Sequence, residues 1–173
     1  MRLIPFCIVF LFVIQTIKAQ PGDSVKKGPT AVLIDGLVDS SFSISNANLN
    51  AFKIIEGGNL NITGPKGETK GTINSYKGIL LTDILSKAKV SLQKEKDRGE
   101  FIILITAADG YKVSFSYNEL MFSEAGKNTY LLFEEDEAPI DKKGPFVVVC
   151  TSDIITGPRH VKWVKEITVK KIN

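Results

Sequence analysis

The sequence predicts an α+β domain in which β-strands dominate. Apolar runs rich in β-branched residues recur along the chain, as in "FIILITA" (101–107) and "PFVVVC" (145–150), and polar turns separate them. Only one segment shows a clear amphipathic helical period. We therefore expect mixed layered sheets of about eight strands with two or three short helices.

The first 19 residues have the pattern of a secretory signal peptide. Arg2 provides a basic start, "LIPFCIVFLFVI" an apolar run, and Ala19 a small residue at the cleavage site. The run is shorter than the ~20 apolar residues of a membrane-spanning helix. We expect export to the periplasm or the exterior, with no membrane span after cleavage; an uncleaved anchor is the alternative.

The rest of the chain is predicted to be a flexible leader at 20–29 and a single domain at 30–173. Cleavage leaves 154 of the 173 residues, enough for one core. It also removes Arg2 and Lys18, so that 20 basic residues remain against 19 acidic ones, a net charge of +1. Nucleic acid and lipid surfaces attract clustered excess positive charge, so neither is expected as a partner.

The first half of the domain is predicted to be mostly strand. Strands are expected at 30–39 and 41–45, a polar turn at 46–52, and two strands around a Gly-Gly kink at 53–64. The helix is predicted at 79–90, after Gly78. Its apolar face consists of Leu80, Leu81, Ile84, Leu85 and Ala88.

The second half begins with a charged connection at 91–100. The strand at 101–107 is expected to form a hairpin with the following strand through Asp109 and Gly110, with Tyr111 packed on the sheet. Ser116 and Glu119 have capping-box spacing and predict a short helix. Further strands are expected in three places, with no internal repeat: 129–133, 145–150 and 164–172.

Three segments in this order resemble the oxidoreductase molybdopterin-binding domain family, which has the fold of the sulfite oxidase catalytic domain, in a short exported bacterial form. They are "YKGILLTDILSKAKV", "ITAADGYKVSFSYNEL" and "GPFVVVCTSDIITGPRHVKWVKEITV". The matching positions are Gly78, Leu81, Asp83, Leu85, Asp109, Gly110, Tyr111, Glu119, Leu120, Asp153, Arg159, Val161, Lys162, Trp163 and Ile167.

The resemblance implies a molybdopterin cofactor, but the chain departs from the family at one position. Family enzymes hold molybdenum through a Cys thiolate located before the 79–90 helix, and residues 55–78 contain no Cys. Cys150 lies in the wrong part of the motif order and is expected to be a buried apolar residue. Any redox activity would need unusual metal ligation, so whether the chain is an enzyme stays open.

"GPRHVKWV" (157–164) is the candidate binding segment. A Gly-Pro turn presents cations to one point, so Arg159, His160 and Lys162 are predicted to bind a pterin cofactor or another small anionic ligand. In the alternative, these three side chains are solvated. Trp163 is expected to be a core anchor in either case, and Asp153 is expected to form a structural ion pair with Arg159.

Other sites are not supported by the residue pattern. The acidic residues at 134–141 lack the spacing of a calcium loop and are expected to be solvated. A single His and a single Cys after cleavage argue against a zinc or copper site and against a Ser-His-acid hydrolase. The competing hypothesis is a noncatalytic envelope module that binds a protein partner through the charged loops 91–100 and 134–143.

Overall fold

The computed structural model describes residues 28–172, which form two β-sheets and short helices. The predicted signal peptide and leader residues 20–27 lie outside the described residues. In chain order the strands are β1 (Ala31–Gly36), β2 (Phe42–Ser45), β3 (Ile54–Thr63), β4 (Thr69–Leu80), β5 (Phe101–Ala107), β6 (Lys112–Ser116), β7 (Thr129–Glu135), β8 (Ala138–Pro139), β9 (Val147–Cys150) and β10 (Val164–Lys171). The helices are α1 (Leu81–Ala88), α2 (Tyr117–Phe122) and α3 (Glu124–Lys127), and 3₁₀ turns occupy Leu49–Ala51, Glu95–Glu100 and Gly157–Arg159.

The first sheet has the strand order β2-β1-β10-β5-β6 and brings the two ends of the domain together. β10 lies in the middle, parallel to β1 and antiparallel to β5. Ile34 pairs with Ile167, and Ile167 pairs with Ile105; all three side chains are fully buried. The C-terminal strand is therefore an integral part of the core.

The second sheet has the order β3-β4-β7-β8, and β9 also pairs with β7. Both faces of β9 are buried: Val148 and Cys150 belong to a core that includes residues of both sheets and α1, while Val147 and Val149 join a smaller cluster. The alternation of strand side chains between opposite faces explains this division.

Residues 157–164 connect the two sheets. The N–H of Val148 donates to the O of Val161 at 2.9 Å, and the N–H of Val161 donates back at 2.8 Å. The N–H of Val164 donates to the O of Phe146 at 3.2 Å, after which the chain enters the first sheet as β10. The segment is thus fixed along the free edge of β9.

Several predicted elements are confirmed. The α+β class holds, α1 buries Leu81, Ile84, Leu85 and Ala88, and β5 and β6 form the expected hairpin. The capping box is also present: Oγ of Ser116 accepts from the N–H of Glu119 at 3.0 Å, and a carboxylate oxygen of Glu119 accepts from the N–H of Ser116 at 3.4 Å. The helix is shorter than predicted, because residues 79–80 belong to β4 and the chain leaves the helix at Lys89, where φ is 56°.

The largest correction is β4, which was not predicted. Its sequence "TKGTINSYKGIL" lacks regular alternation, and pairing with β3 and β7 imposes the extended conformation. Gly78 lies inside this strand, where a Cβ would be 2.8 Å from a methyl carbon of Leu132. The two strands predicted around the Gly-Gly kink are a single strand, β3, in which Asn59 has a φ of 55°.

None of the helices within residues 28–172 is long and apolar enough to cross a membrane.

Candidate functional site

Two turns of nearly identical sequence lie against each other at one end of the second sheet. "TGPK" (63–66) begins at the end of β3, and "TGPR" (156–159) lies before β10. The N–H of Thr63 donates to Oγ1 of Thr156 at 2.9 Å, and the N–H of Thr156 donates to Oγ1 of Thr63 at 3.0 Å. Each threonine therefore satisfies the backbone donor of the other.

Thr156 is the more deeply buried partner, with 4% of its surface exposed. Its hydroxyl also donates to the backbone O of Asn61 at 2.8 Å. A Cβ on Gly157 would lie 2.5 Å from the backbone O of Thr63, so only glycine permits this close approach. The contact holds the two Gly-Pro turns in a fixed relative position.

The β5–β6 turn contacts the second Gly-Pro turn. The hydroxyl of Tyr111 donates to the backbone O of Pro158 at 2.6 Å, and the N–H of Tyr111 donates to Oδ1 of Asp109 at 2.9 Å. Tyr111 is 47% exposed. Its ring therefore extends to the turn instead of packing on the sheet as predicted.

The two Gly-Pro turns and the β5–β6 turn border a cavity of about 370 Å³ that is open to solvent. It is lined by Ile62, Gly64, Pro65, Lys70, Tyr111, Gly157, Pro158, His160 and Lys162. Two of the three predicted binding residues, His160 and Lys162, lie in its wall. Sequence reasoning missed Lys70 and the first Gly-Pro turn; the repeated "TGP" followed by a basic residue was the available signal.

Arg159, the third predicted binding residue, is occupied by carboxylates. Its Nε donates to Oδ2 of Asp153 at 2.7 Å, one terminal nitrogen contacts Oδ1 of the same residue, and the other donates to Oε1 of Glu119 at 2.7 Å. The guanidinium also lies 4.3 Å from the ring centroid of Phe115. These bonds raise the pKa of Arg159, chiefly through Asp153. The predicted ion pair with Asp153 is confirmed, and Glu119 is a second partner that was not predicted.

His160 contributes a neutral ring to the cavity wall. Its Nε2 is buried and has no hydrogen-bond partner. Burial, followed by the nearby charges of Lys143 and Lys162, lowers the pKa of His160 to about 4. The imidazole is therefore uncharged near pH 7.

The lysines around the cavity differ in their partners. Lys70 pairs with Glu68 at 3.0 Å, and Lys143, whose charge acts on His160, pairs with Glu135. Lys162 is exposed, and within residues 28–172 no carboxylate oxygen lies within 4.0 Å of its Nζ. Lys162 is thus the cavity's uncompensated positive charge.

The residues present do not provide a molybdenum site. The stretch where the family's thiolate is expected, 55–78, is occupied by β3, β4 and the turn between them, and it contains no Cys. Cys150 has no exposed surface and lies in the main core, as predicted for a small apolar residue. Residues 28–172 also contain no cluster of three or more His, Cys, Asp and Glu side chains that could hold a metal ion.

Trp163 is half-buried, so its predicted place in the core is wrong. Cβ atoms on Gly28 and Gly144 would lie 2.1 Å and 2.8 Å from its ring carbon Cε3. Its backbone has a φ of 55°, and its N–H donates to the O of Lys143 at 2.7 Å. The ring therefore packs against two glycines and does not belong to the main core, whereas its neighbours Val161 and Val164 do.

Several charged side chains of the loops 91–100 and 134–143 pair with other residues of the domain. Glu134 pairs with Lys77 at 2.9 Å, and Glu100 pairs with Lys171 at 2.8 Å. Oδ1 of Asp136 accepts from the N–H of Asn74 at 2.7 Å. These charges stabilise the positions of the loops on the domain.

The fold is similar to that of a known oxidoreductase. The chain matches the crystal structure of the sulfane dehydrogenase SoxCD from Paracoccus pantotrophus with a TM-score of 0.58 and 18% sequence identity, covering 80% of this chain. It spans 37% of the length of that neighbour's chain. No protein-family model and no curated protein matches the sequence. The likeness establishes the shared fold.

Proposed function

We propose that this chain is an exported protein, periplasmic or extracellular, that binds a small anionic ligand in the cavity between its two Gly-Pro turns. The observation that supports this proposal is the charge of the wall. Lys162 lines the cavity without a carboxylate partner in the described residues, Lys70 lines it paired with Glu68, and none of the nine lining residues is acidic. A basic cavity with fixed turns favours a small anion. The fold agrees with the resemblance to the molybdopterin-binding oxidoreductases but assigns no activity to this chain.

The residues argue against the redox chemistry that the family resemblance implies. Molybdopterin would meet Lys162 and His160 here, but within residues 28–172 no thiolate is available for the metal, since Cys150 is enclosed in the core. The guanidinium of Arg159 is held by Asp153 and Glu119. We therefore infer that Arg159 positions the segment, while Lys162 attracts the ligand.

The test combines metal analysis with binding. Protein exported from a molybdate-fed host is expected to contain neither stoichiometric molybdenum nor pterin fluorescence. Equilibrium dialysis against small organic and inorganic anions is expected to show binding that Lys162→Met weakens and Lys165→Met leaves unchanged. Lys165 is the matched control because it is exposed on β10 and does not line the cavity.

Two results would overturn the proposal. Stoichiometric molybdenum and pterin would restore the cofactor-binding interpretation. Anion binding that is absent, or insensitive to Lys162→Met, would remove the cavity from the function and favour the envelope module with a protein partner. In that case, charge reversal in loops 91–100 and 134–143 should abolish partner binding.

A further inference from the structure

The side chains that line the cavity indicate what kind of ligand fits it. Apart from the two lysines and two glycines, five side chains line it: Ile62, Pro65, Tyr111, Pro158 and His160. Four of these are rings, and the imidazole is uncharged near pH 7 because burial lowers its pKa to about 4. The Tyr111 hydroxyl is already used by the O of Pro158. Most of the wall thus offers ring and aliphatic surface, which suits an apolar ring better than a hydrated ion.

The charge of the site indicates how many negative charges the ligand carries. The positive charge of Lys70 is offset by Glu68 at 3.0 Å, and that of Lys143 by Glu135. Arg159 is offset by two carboxylates. Lys162 alone among these cations has no carboxylate within 4.0 Å in the described residues. One uncompensated cation matches one negative charge, and a dianion would leave a charge unpaired.

The volume agrees with a small organic molecule. The cavity of about 370 Å³ is near the lower end of the range of roughly 300–1,000 Å³ for small-molecule sites. The reciprocal Thr63–Thr156 bonds fix its two Gly-Pro walls before any ligand arrives. A preformed cavity of this size favours a rigid, compact ligand, because little ordering is needed on binding.

We propose that the cavity is selective for small aromatic monoanions, with the carboxylate or sulfonate at Lys162 and the ring against Pro65, Pro158 and Tyr111. This inference rests on the proposed anion-binding function and narrows it to one chemical class. Inorganic oxyanions and aliphatic carboxylates can pair with the charge of Lys162 but cannot pack a ring against the wall. Neutral aromatic amides can pack against the wall but carry no charge for Lys162.

Four probes separate these contributions: benzoate, benzamide, acetate and inorganic phosphate. Binding of each to the purified full chain is measured by equilibrium dialysis. The protein contains a single His, so its ring-proton NMR signals report on this wall without assignment. We expect benzoate to bind about fivefold more tightly than benzamide and at least tenfold more tightly than acetate and phosphate, and to shift the His160 signals.

Variants locate the binding. Lys162→Met should weaken benzoate binding about fivefold, as for one partly exposed charge contact. Lys165→Met should leave it unchanged, with circular dichroism confirming that both variants are folded. If phosphate or acetate bound as tightly as benzoate, and Lys162→Met weakened that binding, the aromatic selectivity would be overturned. The anion-binding function would remain intact. Benzamide equal to benzoate, or no binding of any probe, would overturn both.

Discussion

Thr63 and Thr156 bind each other twice, each backbone N–H donating to the other's Oγ1, at 2.9 Å and 3.0 Å. Ninety-three positions separate these residues in sequence, and both begin a Thr-Gly-Pro turn followed by a basic residue. The pair joins the two sides of the cavity, one belonging to the β3–β4 hairpin and the other to the segment that leads into β10. Substitutions that remove these hydrogen bonds therefore test whether the cavity is preformed.

Thr156→Val should destabilise the protein and weaken ligand binding. Valine has nearly the shape of threonine but leaves the N–H of Thr63 and the O of Asn61 without their partner, at a cost of about 1–3 kcal/mol. Urea denaturation measures the loss. Thr156→Ser keeps the hydroxyl and should lose about 1 kcal/mol for the missing methyl group. Equal losses for the two variants would mean that the hydrogen bonds contribute little.

Arg159→Lys should also be destabilising, although it keeps the charge. A lysine cannot reproduce the fork that engages Asp153 and Glu119, and we expect a loss of about 1–3 kcal/mol. The control is Lys127→Ala, which breaks an exposed pair with Glu124 and should change the free energy of unfolding little. If Arg159→Lys were as stable as the wild type but failed to bind the anion, Arg159 would be a ligand-binding residue and our positioning assignment would be wrong.

Glu119 shows why the fold was easier to predict than the site. Its capping role depends on a spacing of three from Ser116, and local spacing can be read directly from the sequence. Its bond to Arg159 crosses 40 positions and depends on where the fold places α2 relative to the 157–159 turn. The same contrast explains β4: few of its residues are buried, so its extended form comes from pairing with β3 and β7 and not from its own pattern.

One wall of the candidate site could be predicted because it contains rare residues. His160 and Trp163 are the sole representatives of their types, and both lie in residues 157–164. The opposite wall, with Gly64, Pro65 and Lys70, contains common residues in a segment without periodicity. This wall lies beside residues 157–164 because Thr63 pairs with Thr156, which is a tertiary contact. The prediction for Trp163 was wrong because it rested on residue type, whereas the ring packs beside Gly28 and Gly144, a tertiary contact.

Gly144→Ala and Gly110→Ala should differ although both glycines have positive φ, 82° and 91°. At Gly110 a Cβ meets no atom within 4 Å, so we expect only the backbone cost of about 1–2 kcal/mol. At Gly144 it would lie 2.8 Å from Cα and Cε3 of Trp163. Overpacking adds about 1–3 kcal/mol to the backbone cost. Thermal or urea unfolding measures both variants, and the emission of the single Trp should change only for Gly144→Ala. Equal stabilities would show that Trp163 can move aside freely.

Protonation of His160 should make the protein less stable as the pH falls below 6.5, the ordinary pKa of histidine. Burial, with Lys143 and Lys162 nearby, lowers its pKa from 6.5 in the unfolded chain to about 4 in the folded one. Between these values the unfolded state binds more protons, so stability is complete above pH 6.5 and declines as the pH falls toward 4. The full decline is about 3–4 kcal/mol, after which the contribution of this group is constant.

Two measurements check this dependence. NMR of the single imidazole gives its pKa in the folded protein directly, and we expect a midpoint near 4. Urea denaturation at pH 7 and pH 4.5 compares the wild type with His160→Gln, which cannot titrate. Carboxyl groups titrate in both proteins, so the difference between their pH dependences isolates the imidazole. A folded midpoint near 6.5, or identical pH dependences, would mean that His160 is solvated, and the flat, neutral wall on which aromatic selectivity depends would lose one of its rings.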